Sequence, residues 1–448
     1  MDDPQIRIDA EQNRRRLDEL IERDILAQPS AVAEGAKDPA ILPVDASDHV
    51  GQVPIELGIG PSGTDQSFGQ LRGPFMHIPL GRDEKIHRVL VVVHRQQLAA
   101  DVKVEDVLFP GARQTEGPAD VVLADNAFVG AAFLLAHQRP TRPAVVMCGV
   151  IPLSIESRDT APFGVGLAPA RFLNHPRNRA LTALNRRLLR RPNQILNDLH
   201  TVVHGIPMPG MFEDRGRRAD ALVQFTVPSF EYPLSDVAAE LHFAGPLSAA
   251  GSQAPLPEWW SDLDGNRPVI HVTQGTVANT DYGQVIAPTL RALAGDGVLV
   301  VVTTGGRPLD TLQPLPANAR AATYLPYDEL LPRTSVYVTN GGYGGVQYAL
   351  RYGVPIVATG GKEDKPEVGA RVAWSGVGRR IRSEHPSQKA LRRDILAVLN
   401  QSHYRQASRR VAADLAAAPG FAGLADVVDR LVAESSQSPI AGQFPRRW

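Results

Sequence analysis

A chain of 448 residues is long for a single core, so two or three domains are expected. The formal net charge is −1 with acids and bases interspersed, which argues against nucleic acid or an acidic macromolecule as the main partner. The single cysteine, Cys148, lies in the apolar run AVVMCGV; this excludes a disulfide framework and a cysteine-based zinc site and fits a reducing compartment.

Residues 1–86 form an atypical N-terminal region. The start, MDDPQIRIDAEQNRRR, is too charged for a signal sequence, and no stretch approaches the ~18 apolar residues of a membrane span. A cytoplasmic protein without an integral membrane segment is expected, with peripheral association at a membrane left open. Leu17, Leu20, Ile21 and Ile25 mark one amphipathic helix, and residues 28–82 show little periodicity. Residues 87–245 follow an α/β pattern. The strands are RVLVVVH (88–94), ADVVLAD (119–125) and AVVMCGV (144–150), with a helix from about Ala127 to His137 between the last two. A stretch rich in Pro, Gly and Ser (242–268) reads as a linker, set at 246–267.

Residues 268–435 alternate apolar runs with amphipathic stretches. VIHVT (269–273), GVLVVVTT (297–304), SVYV (335–338) and PIVAT (355–359) are apolar throughout, as expected of parallel strands covered on both faces. DYGQVIAPTLRALAG (281–295) predicts a helix with Ile286, Leu290 and Leu293 on one face. Two further helices and a polar tail, 436–448, close the chain. The expected fold class is therefore α/β, with two doubly wound Rossmann-like domains facing a cleft. Ligands of such sheets sit beyond the carboxyl ends of the strands.

The SVYV strand (335–338) runs through Thr339 into NGGYGG (340–345), four glycines in five residues at a strand-to-helix turn. So much bare backbone suits an anion, because a helix N-terminus offers unpaired N–H groups and glycine lets the ligand touch them. A tight turn without a ligand is the plainer alternative. Gln347 stands where a dinucleotide fingerprint needs its third glycine, and Gly361-Lys362 is followed by Glu363 where a P-loop needs Ser or Thr.

NGGYGG, the ensuing GVP, and EDKPEVGARVAWSGVG (363–378) resemble the donor-site signature of glycosyltransferase family 1. FAGPL, HVTQGT, TTGG, YLPYDELLP and the VLAD strand agree in the family's order, and the resemblance extends from about Ala119 to Leu431. It implies a GT-B fold with a shortened or rearranged N-terminal domain. It also implies a hexosyltransferase-type enzyme that moves a sugar, with inversion and without metal or other cofactor, from a nucleotide diphosphate sugar to a hydroxyl of a small-molecule or lipid-like acceptor, as in secondary-metabolite or glycolipid synthesis.

On this resemblance Gly341, Gly342, Gly344 and Gly345 expose N–H groups to the diphosphate, and Gln274, Gly275 and Thr276 add donors or merely cap a helix. Tyr324 occupies the position of a base-stacking tryptophan. Glu363, Asp364 and Lys365 fall at and beside the pair that reads sugar hydroxyls, with Lys365 replacing a glutamine and open to a plain salt bridge with Glu363 or Glu367. Asn340 replaces the signature histidine; an amide donates a hydrogen bond but carries no charge.

Asp125 matches the family's aspartate that orients a catalytic histidine, and it also suits a helix N-cap. The preferred histidine is His94, at the end of RVLVVVH, with His49 second. A silent nucleotide-sugar binder that has lost its base, and a nucleotide-sugar epimerase, are the rival readings.

Overall fold

The computed structural model describes residues 120–126, 128–139, 142–237, 240–246, 254–276, 279–312 and 314–436, and the backbone of 89–92. His49 and His94 lie outside the described residues. The chain divides into two compact units, one of them comprising residues 69–185 and 213–448.

This larger unit contains two parallel sheets. The first has the order β1-β2-β3-β4-β5, built from β1 (Val89–Val92), β2 (Val121–Asp125), β3 (Ala144–Gly149), β4 (Ala221–Gln224) and β5 (Leu241–Phe243). β1 pairs with β2 in parallel in the register Val91↔Leu123 and Val92↔Ala124, so the two strands are neighbours whose carboxyl ends open on one edge. The helix expected at 127–137 is a single turn, α1 (Ala131–Leu134), begun after Gly130. α2 (Asn174–Leu188) follows the third strand after a long excursion. β5 falls at the end of the expected 87–245 domain, where the Pro-, Gly- and Ser-rich stretch begins; three residues are too few to show a period.

Of the other unit, residues 186–212 are described. They carry α3 (Arg190–His204), which Gly205 closes at φ 71°, its N–H on the Thr201 carbonyl. His200 Nδ1 lies 2.7 Å from the Ile206 carbonyl oxygen.

The second sheet of the larger unit has the order β11-β10-β9-β6-β7-β8. Its strands are β6 (Val269–Thr273), β7 (Leu299–Thr303), β8 (Ala319–Ala322), β9 (Val336–Thr339), β10 (Ile356–Ala358) and β11 (Gly378–Arg380). Renumbered from its own first strand this order is 3-2-1-4-5-6, the doubly wound arrangement with its switch point between β6 and β9. The apolar runs are buried on both faces. On β9, Val336 and Val338 join the cluster of α4 (Ile286–Leu293), with Ile286, Leu290 and Leu293 inward as expected. Tyr337 joins the opposite cluster, formed by α5 (Tyr343–Arg351), α6 (Lys365–Trp374) and, beyond α7 (Gln388–Asn400), by α8 (Ser402–Ala417). This period-two division is why a uniformly apolar strand needs helices on both sides.

The last described helix, α9 (Gly420–Ser436), packs Leu424, Val427, Val428 and Leu431 on Val121, Leu123, Val146 and Val223. The sequence groups it with the second domain; its buried face belongs to the first sheet. No single described helix is long and apolar enough to cross a membrane.

Candidate functional site

Loops leave the carboxyl edge of the second sheet, and polar groups fasten those after β6, β7 and β9 to one another. Thr273 and Thr339 end the two strands that flank the switch point. The hydroxyl of each accepts from the N–H of the glycine two residues on, Gly275 or Gly341, at 3.2 Å. Asn340 Nδ2 donates to the Gln274 carbonyl at 2.8 Å, joining the loop after β9 to the loop after β6. Asn279 Nδ2 donates to the carbonyls of Gly275 and Thr304, both at 3.0 Å, and so ties in the loop after β7.

The four glycines of NGGYGG have different causes. Gly341 has φ 96°, a conformation that favours glycine, and a Cβ there would lie 2.8 Å from the Thr359 carbonyl oxygen. A Cβ on Gly345 would lie 2.5 Å from Tyr337 Oη. Gly342 is at φ −62°, ψ 130°, and a Cβ there would meet only Asn340 Oδ1, at 4.0 Å. Gly344 stands in the first turn of α5 with nothing within 4 Å of its would-be Cβ. Among the described residues no packing asks for glycine at 342, the N-cap of α5, or at 344, and within the helix glycine at 344 costs about 1 kcal/mol relative to alanine. Val346 N–H reaches the Gly342 carbonyl at 3.2 Å, so the N–H groups just before it lie in the helix turn that lacks intrahelical acceptors.

The other expected site residues gather at this edge. Gln274 is buried, and its side chain caps α4: Oε1 accepts from the N–H groups of Val285 at 3.1 Å and Ile286 at 3.0 Å, and Nε2 donates to the Asp281 carbonyl at 2.8 Å. Of the QGT triplet, Gly275 and Thr276 are exposed. Tyr324 is 45% exposed, and its hydroxyl lies over Gly306, where a Cβ would come within 2.5 Å of it. Asp364 precedes α6 and is half-buried; burial raises its carboxyl above the ordinary value. Lys365 pairs with Glu363, the plainer of the two readings, while its Cβ lies against the turns at Gly341 and Gly360. Glu363 has φ 58°, rare outside glycine, so the candidate sugar loop is held in a strained conformation.

Across the cleft, Asp125 is buried at the end of β2, facing Cys148 in register. Burial, and then the charge of Asp125, push the Cys148 thiol up to about 12, so this cysteine stays a neutral core residue. α1 begins at Ala131 with Gly130 as its N-cap, so Asp125 does not cap it. Arg215 donates to the Asn126 carbonyl; burial lowers its affinity for a proton, and the charges of Glu213 and Asp125 oppose that.

Sequence reasoning misses a buried ionic network that joins the two sheets' surroundings. Arg371 Nε lies 2.5 Å from Glu231 Oε2, and Arg371 Nη1 lies 3.0 Å from Glu367 Oε2. Arg371 Nη2 donates to the Leu153 carbonyl at 3.2 Å, and its guanidinium lies 4.4 Å from the Tyr232 ring centre. Burial opposes the Arg371 charge, but Glu231, Tyr232 and Glu367 more than offset it and hold the guanidinium protonated. The spacing of Glu367 and Arg371 on α6 was a visible i,i+4 signal. Nothing in the sequence singles out Glu231.

The model of the erythromycin biosynthesis protein CIII-like C-terminal domain matches residues 289–433. A 4'-demethylrebeccamycin synthase of Lentzea aerocolonigenes is 42% identical over 319 residues, 70% of this chain and 74% of the relative. UDP-glycosyltransferase 2 of Phaeomoniella chlamydospora is 32% identical, over 78% of this chain and 77% of its own length. Among solved structures the calicheamicin glycosyltransferase CalG4 aligns with a TM-score of 0.55 at 22% identity, covering 74% of this chain and 78% of that one, a likeness of fold.

Proposed function

The chain belongs to glycosyltransferase family 1 and is a glycosyltransferase of GT-B fold, and on that premise we propose that it transfers a sugar from a nucleotide diphosphate to a hydroxyl of a small-molecule or lipid-like acceptor, with inversion and without a metal ion. The observation that carries this reading is the pair Gly342 and Gly344. Both lie at the start of α5 beside the switch point, and among the described residues no contact accounts for them. A ligand that approaches the main chain does account for them.

In this reading the N–H groups of the first α5 turn receive the diphosphate as it departs, and charge develops on the leaving oxygen where fixed dipoles already point. Gly341, held by Thr339, sets the turn, and Gly345 lets α5 lie close on Tyr337. Tyr324 offers its ring to the base, Thr276 its exposed hydroxyl to a phosphate, and Glu363 and Asp364 their carboxylates to the sugar. Asn340 serves by fastening two loops to each other, a task that needs an amide rather than an imidazole.

The base is proposed to be His94, oriented by Asp125. Support comes from the parallel pairing of β1 with β2, since His94 follows β1 by two residues and Asp125 ends β2. The acceptor oxygen attacks the anomeric carbon in line as His94 takes its proton, and the carbon–oxygen bond to the diphosphate breaks.

The test is thermal stabilisation of the purified chain by UDP, TDP and GDP, with and without EDTA. At about 100 times Kd a diphosphate adds roughly 2.7 kcal/mol. A shift that survives EDTA, and transfer that survives it too, supports the reading. A metal requirement would reassign Glu363 and Asp364 as ligands, and no shift with any diphosphate would end the proposal.

A further inference from the structure

The loop after β3 and the helix that begins at the candidate sugar residues are joined by one carboxylate. Glu367, buried in the first turn of α6, accepts from the N–H of Gly164 at 3.0 Å and of Gly166 at 2.6 Å through Oε1. Its Oε2 faces Arg371 at 3.0 Å. Arg380 Nη1 donates to the Gly166 carbonyl at 2.5 Å from the other side. Gly164 and Gly166 have φ 94° and 61°, and a Cβ on Gly166 would lie 2.6 Å from the Pro366 carbonyl oxygen and 2.7 Å from Pro366 Cβ. The loop therefore rests on the residue that follows Lys365, and Val165 at its tip is 41% exposed.

The same network reaches the glycine turn. Glu231 Oε1 accepts from the Leu153 N–H at 3.1 Å and from Tyr343 Oη at 3.4 Å, and Tyr343 stands between Gly342 and Gly344. Gln224 Nε2, at the end of β4, lies 3.3 Å from the same hydroxyl. One buried cation, Arg371, thus serves two carboxylates, one from each half of the unit. Each carboxylate is further bonded to groups across the cleft from its own half. A buried ion pair is rarely retained for stability, since its desolvation cancels most of the Coulombic gain, and it is best accounted for by the alignment it enforces.

We propose that Glu367 is a positioning residue for the acceptor: by holding the N–H groups of Gly164 and Gly166 it sets the height of loop 162–166 over the sugar residues, and so decides which acceptor hydroxyl reaches the anomeric carbon. The inference rests on the glycosyl-transfer reading. It assigns Glu367 no contact with the sugar or the diphosphate.

The experiment compares wild type with Glu367→Gln and Gly166→Ala, the second a loop change outside both sheets in case the first fails to fold. UDP- and TDP-glucose serve as donors, a panel of phenol and alcohol acceptors is offered, and diphosphate affinity is read by thermal shift. The expected result is a rise in acceptor KM of about ten-fold or more, or a changed order of preference among acceptors. Diphosphate affinity should stay within two-fold, and donor hydrolysis by water should be kept or increased. A merely structural role would lower thermal stability without splitting acceptor KM from diphosphate affinity. An unchanged acceptor profile in both variants, or a parallel loss of acceptor and diphosphate binding, would overturn the inference. A wild type that no diphosphate stabilises would instead remove the reading on which it rests.

Discussion

The carboxyl edges of the two sheets present opposite chemistry. At the second sheet the edge is glycine-rich, and amides and hydroxyls fasten it: Gln274 caps α4, Asn279 and Asn340 bridge loops, and Thr273 and Thr339 anchor the glycines. At the first sheet the edge carries buried charge, with Asp125 at the end of β2 and Arg215 near it. A diphosphate is the same in every donor and can be met by main chain, whereas a proton has to be taken by a particular side chain. In the proposed reading the diphosphate is therefore met by backbone at one edge and the proton by an ionisable group at the other.

The largest effect should come from breaking the charged edge alone. His94→Ala is expected to reduce turnover by about 10²–10⁴-fold, with diphosphate affinity nearly intact, because general base catalysis has that worth and the proposed diphosphate site lies at the other sheet. Steady-state kinetics beside a thermal-shift titration separates the two; equal loss of both would erase the division of labour.

Acid should reveal a difference within the fold. His271, buried in the central strand β6, has its pKa lowered from 6.5 to about 4 by burial. The unfolded chain then binds the extra proton between those values, so this stability is full above pH 6.5 and is lost as pH falls toward 4. The amount is about 3 kcal/mol. Thermal melts from pH 7 to pH 4 should show the fall, and His271→Gln should flatten it. An equally steep profile in the variant would move the cause elsewhere.

The glycine edge can be broken at one point with its stability kept. A Cβ at 342 would meet no described atom closer than Asn340 Oδ1, at 4.0 Å, so Gly342→Val should keep the fold while diphosphate affinity drops about 10- to 150-fold, the worth of one charge-assisted bond of roughly 1.5–3 kcal/mol. Gly345→Ala is the counterpart: its new methyl meets the buried Tyr337 hydroxyl and should cost about 1–3 kcal/mol of stability. The same outcome for both substitutions would mean that the turn is only a turn.

Tyr324→Leu should have the smallest effect, a few-fold in nucleotide affinity, since aromatic stacking adds about 0.5–1.5 kcal/mol. The loss should be shared by all three diphosphates.

How much of this was readable follows from the same contrast. The second sheet's central strands announce themselves because burial on both faces demands unbroken apolar runs, as in VIHVT and LVVVT. Its edge strands, ARAA and GRR, are half-exposed and carry no such run, and β4 and β5 are too short to show a period. The glycine turn was legible because a positive φ at Gly341 and close packing at Gly345 restrict residue type locally, within a few residues of one another. Glu231 was not, because a buried carboxylate is defined by partners 112 and 140 residues away, Tyr343 and Arg371. The reach of α9 back to the first sheet was equally hidden, since an amphipathic stripe does not say which surface it will cover.

The paired threonines at the switch point carry one further consequence. Thr273 and Thr339 each satisfy the glycine N–H two residues on, and Asn340 bolts one turn to the other, all with groups belonging to the protein. The two turns are thus fastened by the protein's own groups, and in the proposed reading little ordering entropy is left to be lost when a nucleotide binds. Association at this edge should accordingly be limited by encounter, and differences among nucleotides should appear in how long each one stays.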